Sequence, residues 1–457
     1  MREWRAPHRL LVLAAVGWLA ACAAGASGSN ATGSNSGPPD LVGEGGTPCG
    51  DLRCRQVDCA SRGKPPTTLS GIVYDPAGSV PLYNVFVYVP NGTPEAIPSG
   101  HPRCAPCQAD ATGDAIVSAS TDAQGWFHLT DVPAGDDVPL VLQVGKWRRQ
   151  IHVPHVEACT DNALLDPDLV RLPSKASEGD MPLIALATGC DVTECFLSSI
   201  GIDPSEFTTP EGGGHVHVYA GNSSAMSMPG MGDAYRLWGS SDTMSQYDVI
   251  FAACECQPYP RDADGPAYAN MLQYLDGGGR LYTTHFQYNW FSPPSGAPPF
   301  QHMAVWGEGV ESPVMTNYFV DTSFPRGRAF ADWLQDNSLS PEYGQVQLTD
   351  TRESVEQVTG ATRWIYGGDT ATSSDYQSKY LTFNTPVGTP VANQCGRATF
   401  SDVHLSGETD LPGAFPAECA ARQDPHGVNE QSLEFLFFDL VSCVQDDSQG
   451  PSQPPVH

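Results

Sequence analysis

Cysteine, histidine and carboxylate side chains stand at the ends of three predicted strands in the second half of this 457-residue chain. In strand order, these candidate catalytic residues are Cys254 and Glu255, then His285, then Asp402 and His404. In an open parallel sheet, ligands bind beyond the carboxyl ends of the strands. A thiol, carboxylates and two imidazoles at one such edge predict either a metal site or a Cys–His nucleophilic pair.

A second candidate site combines two histidines with a methionine-rich loop. His215 and His217 lie two residues apart on a predicted strand, and therefore on one face of it. Met226, Met228 and Met231 follow in a loop rich in Gly, Pro and Ser. Imidazole and thioether ligands together suit copper, above all Cu(I). The alternative interpretation is a surface loop that carries three flexible apolar side chains.

Aromatic side chains crowd the segment after His285, and three of them are candidate ligand-binding residues: Tyr288, Trp290 and Trp306. Aromatic rings on a loop suit stacking against a sugar ring. Core packing within a long insertion explains the same residues equally well, so both interpretations stay open.

Strands and helices alternate over residues 181–443, which predicts a parallel sheet with helices on both faces. Predicted strands span residues 181–189, 215–219, 247–254, 279–285 and 396–404, and predicted helices span 194–202, 266–276 and 429–442. The segments Leu275–His285 and Gly396–His404 resemble the ThuA-like branch of the class I glutamine-amidotransferase-like fold. This resemblance implies a flavodoxin-like domain with an insertion at 286–394. Amidotransferases carry a Gly-x-Cys-x-Gly elbow where this chain has His285 and no following glycine, so their activity is predicted to be absent.

Residues 67–173 carry short runs rich in β-branched and aromatic residues, separated by turn-forming residues, which predicts an antiparallel β-sandwich. The opening Ser70–Val73, the run Val85–Val89 and the segment Thr121–Gly135 together resemble carboxypeptidase regulatory-like domains. That resemblance implies a transthyretin-like sandwich without catalytic residues, which acts as a spacer or an adhesive module.

The first 22 residues predict a secretory signal, because arginines precede a short apolar run, Leu10–Leu19, that closes in Leu-Ala-Ala-Cys at Cys22. This ending resembles the lipobox of bacterial lipoproteins, which implies acylation of Cys22 and attachment at the outer membrane or cell surface. The alternative is an ordinary signal peptide that contains a cysteine. Residues 23–66 predict a flexible Gly/Ser/Pro-rich tether, and residues 444–457 a disordered tail. The whole arrangement resembles a group of bacterial surface lipoproteins, which implies an architecture and a location but no activity.

Composition restricts the partners and the redox environment. The net charge of −29, from 52 acidic and 23 basic residues, excludes nucleic acid and anionic lipid as partners of the body, so only the acyl chains reach the membrane. Fourteen cysteines in an exported chain predict disulfides. With Cys22 acylated, the odd remainder leaves a free thiol or an intermolecular bridge.

Three functional hypotheses follow. The first is a lipid-anchored surface protein with a non-catalytic binding role, for which carbohydrate or a surface protein is the partner. The second is a hydrolase or sugar-modifying enzyme that uses Glu255, His285, Asp402 and His404. The third is a protein that binds copper, or another divalent metal, through the His215 and His217 strand and the methionine loop. Close contact among the strand-end side chains favours the enzyme, and a disulfide at Cys254 favours the binding module.

Overall fold

The computed structural model describes residues 50–102, 104, 111–224, 226–261, 265–293, 300–311, 318–367, 378–405, 413–421 and 427–450. The predicted signal with Cys22, and tether residues 23–49, lie outside these described residues. The described part of the chain is multidomain and mostly β, with several sheets. Among its helices, none combines the length and the apolar character that a membrane span requires.

The described residues between 67 and 173 form seven strands in two sheets. These are β1 (Thr68–Ile72), β2 (Phe86–Pro90), β3 (Ala115–Ser120), β4 (Trp126–Thr130), β5 (Gly135–Val144), β6 (Trp147–Val156) and β7 (Asp161–Leu164). One sheet has the order β4-β1-β7 and the other β3-β2-β5-β6, which is consistent with the predicted sandwich. The expectation of purely antiparallel pairing is wrong for β1 and β7, which pair in parallel. The chain enters β7 from β6, which belongs to the other sheet. No hairpin therefore connects β7 to β1, and the antiparallel direction that a hairpin imposes is not required.

Residues 50–66, predicted as part of the flexible tether, are folded against the sandwich. A disulfide joins Cys59 to Cys159. The Arg55 guanidinium donates hydrogen bonds to the backbone carbonyl oxygens of Ala134, just before β5, and Asp136, in β5, at 2.7 and 2.6 Å. The prediction failed here because a cross-link and side-chain-to-backbone hydrogen bonds hold the segment, and a polar composition does not reveal either.

The second domain holds the remaining strands and all the α-helices of the described residues. Its strands are β8 (Ile184–Thr188), β9 (Phe207–Thr208), β10 (Val216–Ala220), β11 (Met226–Ser227), β12 (Gly232–Asp233), β13 (Val249–Ala252), β14 (Arg280–Thr284), β15 (Ala304–Glu311), β16 (Tyr318–Val320), β17 (Gln345–Val346), β18 (Arg352–Val358), β19 (Thr362–Gly367), β20 (Ser378–Thr385), β21 (Gly396–Ser401) and β22 (Gly413–Ala414). Its helices are α1 (Thr193–Ser199), α2 (Tyr235–Trp238), α3 (Ser241–Met244), α4 (Ala267–Asp276), α5 (Pro325–Asp336) and α6 (Val428–Val441). The strands and helices predicted from the sequence are confirmed to within a few residues at each end.

Five parallel strands, in the order β10-β8-β13-β14-β21, form the centre of the main sheet. Strands β20, β19, β16 and β17 continue the same sheet with antiparallel pairing. The insertion at 286–394 therefore widens the sheet next to β21. Because the strands of the insertion add to the side of the sheet beyond β21, the carboxyl ends of the five parallel strands still lie along one edge of the sheet.

The two domains share a hydrophobic core. Trp147 of β6 packs on α6, with ring centroids 6.1 Å from Phe437 and 5.7 Å from Phe438. One cluster of buried apolar side chains runs from the sandwich into the face of the main sheet that α6 covers. The sandwich is thus fused to the second domain, and it is not a loosely attached spacer.

Disulfides cross-link the described part of the chain, as predicted. In four disulfides both cysteines belong to the described residues: Cys59–Cys159, Cys104–Cys395, Cys190–Cys256 and Cys195–Cys419. Cys54 and Cys443 are disulfide-bonded as well. Cys254 is a free, buried thiol. The Cys104–Cys395 bridge adds a covalent link between the two domains.

Residues 444–450, predicted as part of a disordered tail, are anchored by a buried ion-pair cluster. Asp447 lies 3.0 Å from Arg397 and 3.6 Å from Arg326. Asp439 of α6 contacts Arg326 at 2.9 Å and Arg397 at 3.1 Å. The prediction is wrong for this segment because two buried arginines require a second carboxylate for charge balance.

Candidate functional site

The carboxyl edge of the parallel strands brings one thiol and two imidazoles together. Cys254 Sγ, after β13, lies 3.3 Å from Nδ1 of His285, after β14. The same Nδ1 lies 2.8 Å from Nε2 of His404, after β21. One ligand atom from each residue lies within 4.8 Å of the others, and all three residues are buried. The structure therefore unites three of the five residues predicted for this edge.

Two residues that the sequence analysis missed hold this cluster. Oδ1 of Asp191 lies 3.0 Å from Nδ1 of His404. Thr284 donates its hydroxyl to Oδ2 of Asp191 at 2.6 Å and accepts the backbone N–H of Cys254 at 2.7 Å. Asp191 follows β8 as the other residues follow their strands, so the same strand-end rule applied to β8 could have found it.

Electrostatics fix the orientation of the His404 ring. Burial favours the neutral forms of Asp191 and His404, but their mutual charge and hydrogen bond outweigh it. The pKa of Asp191 is therefore held below its ordinary value, and the pKa of His404 well above. A hydrogen bond with Cys254 adds to the rise at His404. With Nδ1 engaged by Asp191, Nε2 of His404 is the atom that faces the cluster.

His285 occupies a strained turn. Its φ of 39° lies in the left-handed region, at the step from β14 into a 3₁₀ turn, His285–Trp290. A non-glycine residue in this region costs about 1–2 kcal/mol, and such strain concentrates at functional sites. The turn directs the His285 imidazole towards Cys254, whereas a regular continuation of β14 would direct it elsewhere.

Glu255 does not belong to the cluster. Its carboxylate forms a buried ion pair with Arg261 and accepts the backbone N–H of Asn222 at 2.7 Å. Burial raises the pKa of Glu255, and the charge of Arg261 opposes that rise. Neighbouring residues of an extended chain point in opposite directions, so Glu255 turns away from the site that Cys254 faces.

Asp402 also has other partners. Its Oδ2 accepts the backbone N–H of Ser354, in β18, at 2.6 Å. Burial raises the pKa of Asp402 to about 6, and the positive charge of Lys379 opposes the rise. Burial likewise lowers the pKa of Lys379 to about 8. The prediction of Asp402 as a member of the cluster is corrected because the insertion supplies partners that the sequence pattern did not show.

The aromatic side chains after His285 pack inside the protein. Trp290 is 1% exposed and lies 5.5 Å from Trp238, ring to ring. Trp306 stacks on Phe291 at 5.4 Å, and Tyr288 lies 6.4 Å from Trp306. Of the two interpretations left open, this packing favours the core role, because the buried Trp290 ring offers no face to a sugar.

The predicted copper ligands lie apart. Nδ1 of His217 lies 2.9 Å from the hydroxyl of Tyr247, and burial lowers the pKa of His217. Nδ1 of His215 lies 2.9 Å from a carboxylate oxygen of Glu206. Met226 belongs to the same buried cluster as Val216 and Val218, the β10 residues on either side of His217 that point to the opposite face, and Met228 and Met231 pack against this cluster. The sheet therefore separates the thioethers from His217, and the predicted copper set does not assemble.

Comparisons with known proteins give little guidance. No family model and no curated protein sequence matches the chain. Solved structures that match include two mutants of a type II cohesin–X-dockerin complex from Acetivibrio cellulolyticus. The C-terminal interface mutant is 17% identical over 31% of this chain and 75% of that chain, with a TM-score of 0.16. The N-terminal interface mutant is 17% identical over 30% and 85%, with a TM-score of 0.17, and neither likeness bears on fold or function.

Proposed function

We propose that Cys254, His285 and His404 bind a zinc ion and that this centre carries out metal-assisted hydrolysis in a lipid-anchored surface protein. The observation that carries the proposal is the convergence of one sulfur and two imidazole nitrogens within 4.8 Å. Thiolate and imidazole ligands suit zinc and copper, whereas magnesium and calcium take oxygen ligands. A set of three protein ligands is typical of catalytic zinc sites, which keep a further position for water or substrate.

The second layer of the site supports a metal. Asp191 holds Nδ1 of His404 at 3.0 Å, which leaves Nε2 for an ion. Such carboxylate–histidine contacts fix the ring and raise its basicity in metal sites. Thr284 ties the same carboxylate to the backbone of Cys254. Asp191 and Thr284 therefore position the side chain of His404 and the backbone of Cys254.

We prefer zinc to copper because zinc has no redox chemistry and suits a hydrolytic centre. A Cys–His₂ set also occurs in copper electron-transfer centres, where a methionine supplies a weak axial ligand. The methionines of the 226–231 loop pack in a core cluster with side chains of the opposite face of β10. A bound zinc ion would lower the pKa of a coordinated water and polarise a substrate carbonyl or phosphoryl oxygen.

A second candidate function uses the same residues without a metal. Asp191 lies 3.0 Å from Nδ1 of His404, and Nδ1 of His285 lies 2.8 Å from Nε2 of His404 and 3.3 Å from Sγ of Cys254, so carboxylate, imidazole and thiol form one connected group. In cysteine hydrolases such a relay activates the thiol as a nucleophile. The two candidates differ in one observable, because only the zinc centre loses its activity to a chelator.

The fold and the location remain part of the proposal. Numbered along the chain, the central parallel strands have the order 2-1-3-4-5, which is the flavodoxin-like order and supports the ThuA-like resemblance. The disulfides support an oxidising compartment and thus export, with Cys22 as the acylated residue. The earlier carbohydrate hypothesis loses its main support with the burial of Trp290.

The test is hydrolysis of a panel of nitrophenyl esters and phosphate esters by the purified full chain. We expect activity with zinc, loss after chelation and recovery when zinc is restored. His404→Ala should remove it, and His152→Ala, an exposed histidine of β6, should not. Activity that survives chelation but is lost in Cys254→Ser would favour the thiol mechanism. Zinc-independent activity that persists in both His404→Ala and Cys254→Ser would contradict both candidates.

A further inference from the structure

Three cysteine sulfurs crowd the edge of the candidate site. Cys190 and Cys256 form a disulfide, and Sγ of the free Cys254 lies 3.8 Å from Sγ of Cys190. Cys190 and Cys254 are buried, at 6% and 0% exposure, so solvent does not separate the two sulfurs. A thiol and a disulfide in contact are the reactants of thiol–disulfide exchange.

The backbone fixes this proximity. β8 and β13 pair in parallel, and the backbone N–H of Cys190 donates to the carbonyl of Cys254 at 2.7 Å. A side chain at Gly189 would place its Cβ 2.0 Å from that carbonyl oxygen, so only glycine permits the approach. Cys256 has a φ of 63°, in the left-handed region, and this bend returns its side chain towards Cys190.

We infer that Cys254 exchanges with the Cys190–Cys256 disulfide and that the exchange switches the metal centre off. The Cys254 thiolate attacks Sγ of Cys190, the Cys190–Cys256 bond breaks, and a Cys190–Cys254 bond forms. Cys256 leaves as a thiolate and takes up the proton that Cys254 gave up. The numbers of thiols and disulfides do not change, so the step consumes no oxidant or reductant.

The inference rests on the proposed zinc centre, because both processes claim the same sulfur. A bound metal ion holds Cys254 as a ligand and thereby preserves the Cys190–Cys256 pairing. Loss of the ion releases the thiolate beside Nδ1 of His285, 3.3 Å away. Exchange then leaves only two imidazoles at the site, which no longer form a three-ligand set. The centre would therefore respond to zinc supply.

Disulfide mapping of the full chain tests the exchange. Cleavage after Glu255 separates Cys254 from Cys256, so mass spectrometry identifies which one is linked to Cys190. Free thiols are alkylated in acid-quenched, unfolded samples of zinc-loaded and chelator-treated protein. We expect alkylated Cys254 with zinc, and alkylated Cys256 in a large fraction of the metal-free chains. The Cys190–Cys256 pairing alone in both samples would overturn the inference.

Two variants separate this inference from the zinc proposal. Cys190→Ser combined with Cys256→Ser leaves Cys254 without an exchange partner, so it should bind zinc and rebind it fully after storage without metal. Cys256→Ser, folded in the presence of oxidised glutathione as the two-electron oxidant, should form the Cys190–Cys254 bond and lose zinc. If the double variant does not bind zinc, the proposed function fails. If the double variant binds zinc and the wild type never exchanges, only the exchange inference fails. Where a variant does not fold, disulfide mapping of the wild type still decides whether the exchange occurs.

Discussion

Glu434 on α6 and Asp75 in the first domain form a buried carboxyl pair in the shared core, which makes stability depend on pH. Asp75 accepts the backbone N–H groups of Ser79 and Val80 at 2.7 and 3.1 Å, so its carboxylate is the favoured anion. Burial, and then the charge of and hydrogen bond with Asp75, raise the pKa of Glu434 well above 4.5. Glu434 is therefore the member of the pair that keeps its proton to the higher pH.

The sign follows from the raised pKa. The protonated Glu434 contributes stability that is fully present below its unfolded pKa and is lost as pH rises towards its folded pKa. One proton gives a slope that approaches about 1.4 kcal/mol per pH unit in the interval between the unfolded and the folded pKa. Glu434→Gln cannot ionise and keeps an N–H donor for Asp75, so the variant should lose this slope.

The assay is urea unfolding, with disulfides intact, at pH 5.5, 6.5 and 7.5. The free energy of unfolding of the wild type should fall relative to that of Glu434→Gln as pH rises, by at most about 1.4 kcal/mol per pH unit. Glu342→Gln, at an exposed glutamate whose carboxylate accepts a hydrogen bond from the Gln345 side chain, should follow the wild type. Parallel pH profiles for wild type and Glu434→Gln would refute the shared proton.

Three further predictions concern the site and the cross-links. Asp191→Asn should weaken zinc binding about 10- to 100-fold in a competition titration with a chromophoric chelator, and an unchanged affinity would remove its role as the orienting carboxylate. Asp447→Asn should lower the free energy of unfolding by about 3–5 kcal/mol, because it leaves the buried Arg326 and Arg397 with Asp439 as their one remaining carboxylate in the cluster; a urea midpoint equal to that of the wild type would mean that the tail is not docked. Cys59→Ser with Cys159→Ser opens a link between residues 100 positions apart and should cost about 4.7 kcal/mol by the same assay, whereas equal stability would show that the cross-link does not hold the N-terminal segment.

Local pattern was enough to predict the parallel strands and the helices between them. The apolar run before Cys254 and the helix between Pro266 and Gly277 carry their signals within a few residues. The widening of the sheet by β16, β17, β19 and β20 depends on pairing between distant segments, which no local window contains. The anchoring of Asp447 is similar, because its two arginines lie 50 and 121 positions away.

The site shows the same limit at the scale of single side chains. The strand-end rule predicted Cys254, His285 and His404 as neighbours, and the structure places them together. The rule also placed Glu255 there, although adjacent residues on an extended chain point in opposite directions. Asp191 escaped notice because its role depends on a hydrogen bond to His404, more than 200 residues along the chain.

The absorption spectrum of the cobalt-substituted full chain tests the zinc centre most directly. Cobalt(II) takes zinc sites and reports a thiolate ligand through a sulfur-to-metal charge-transfer band. We predict that the band saturates at one cobalt ion per chain, is displaced by zinc, is lost in Cys254→Ser and persists in His152→Ala. A wild-type protein that is free of its native metal, retains a free Cys254 by mapping and shows no such band would contradict the proposal.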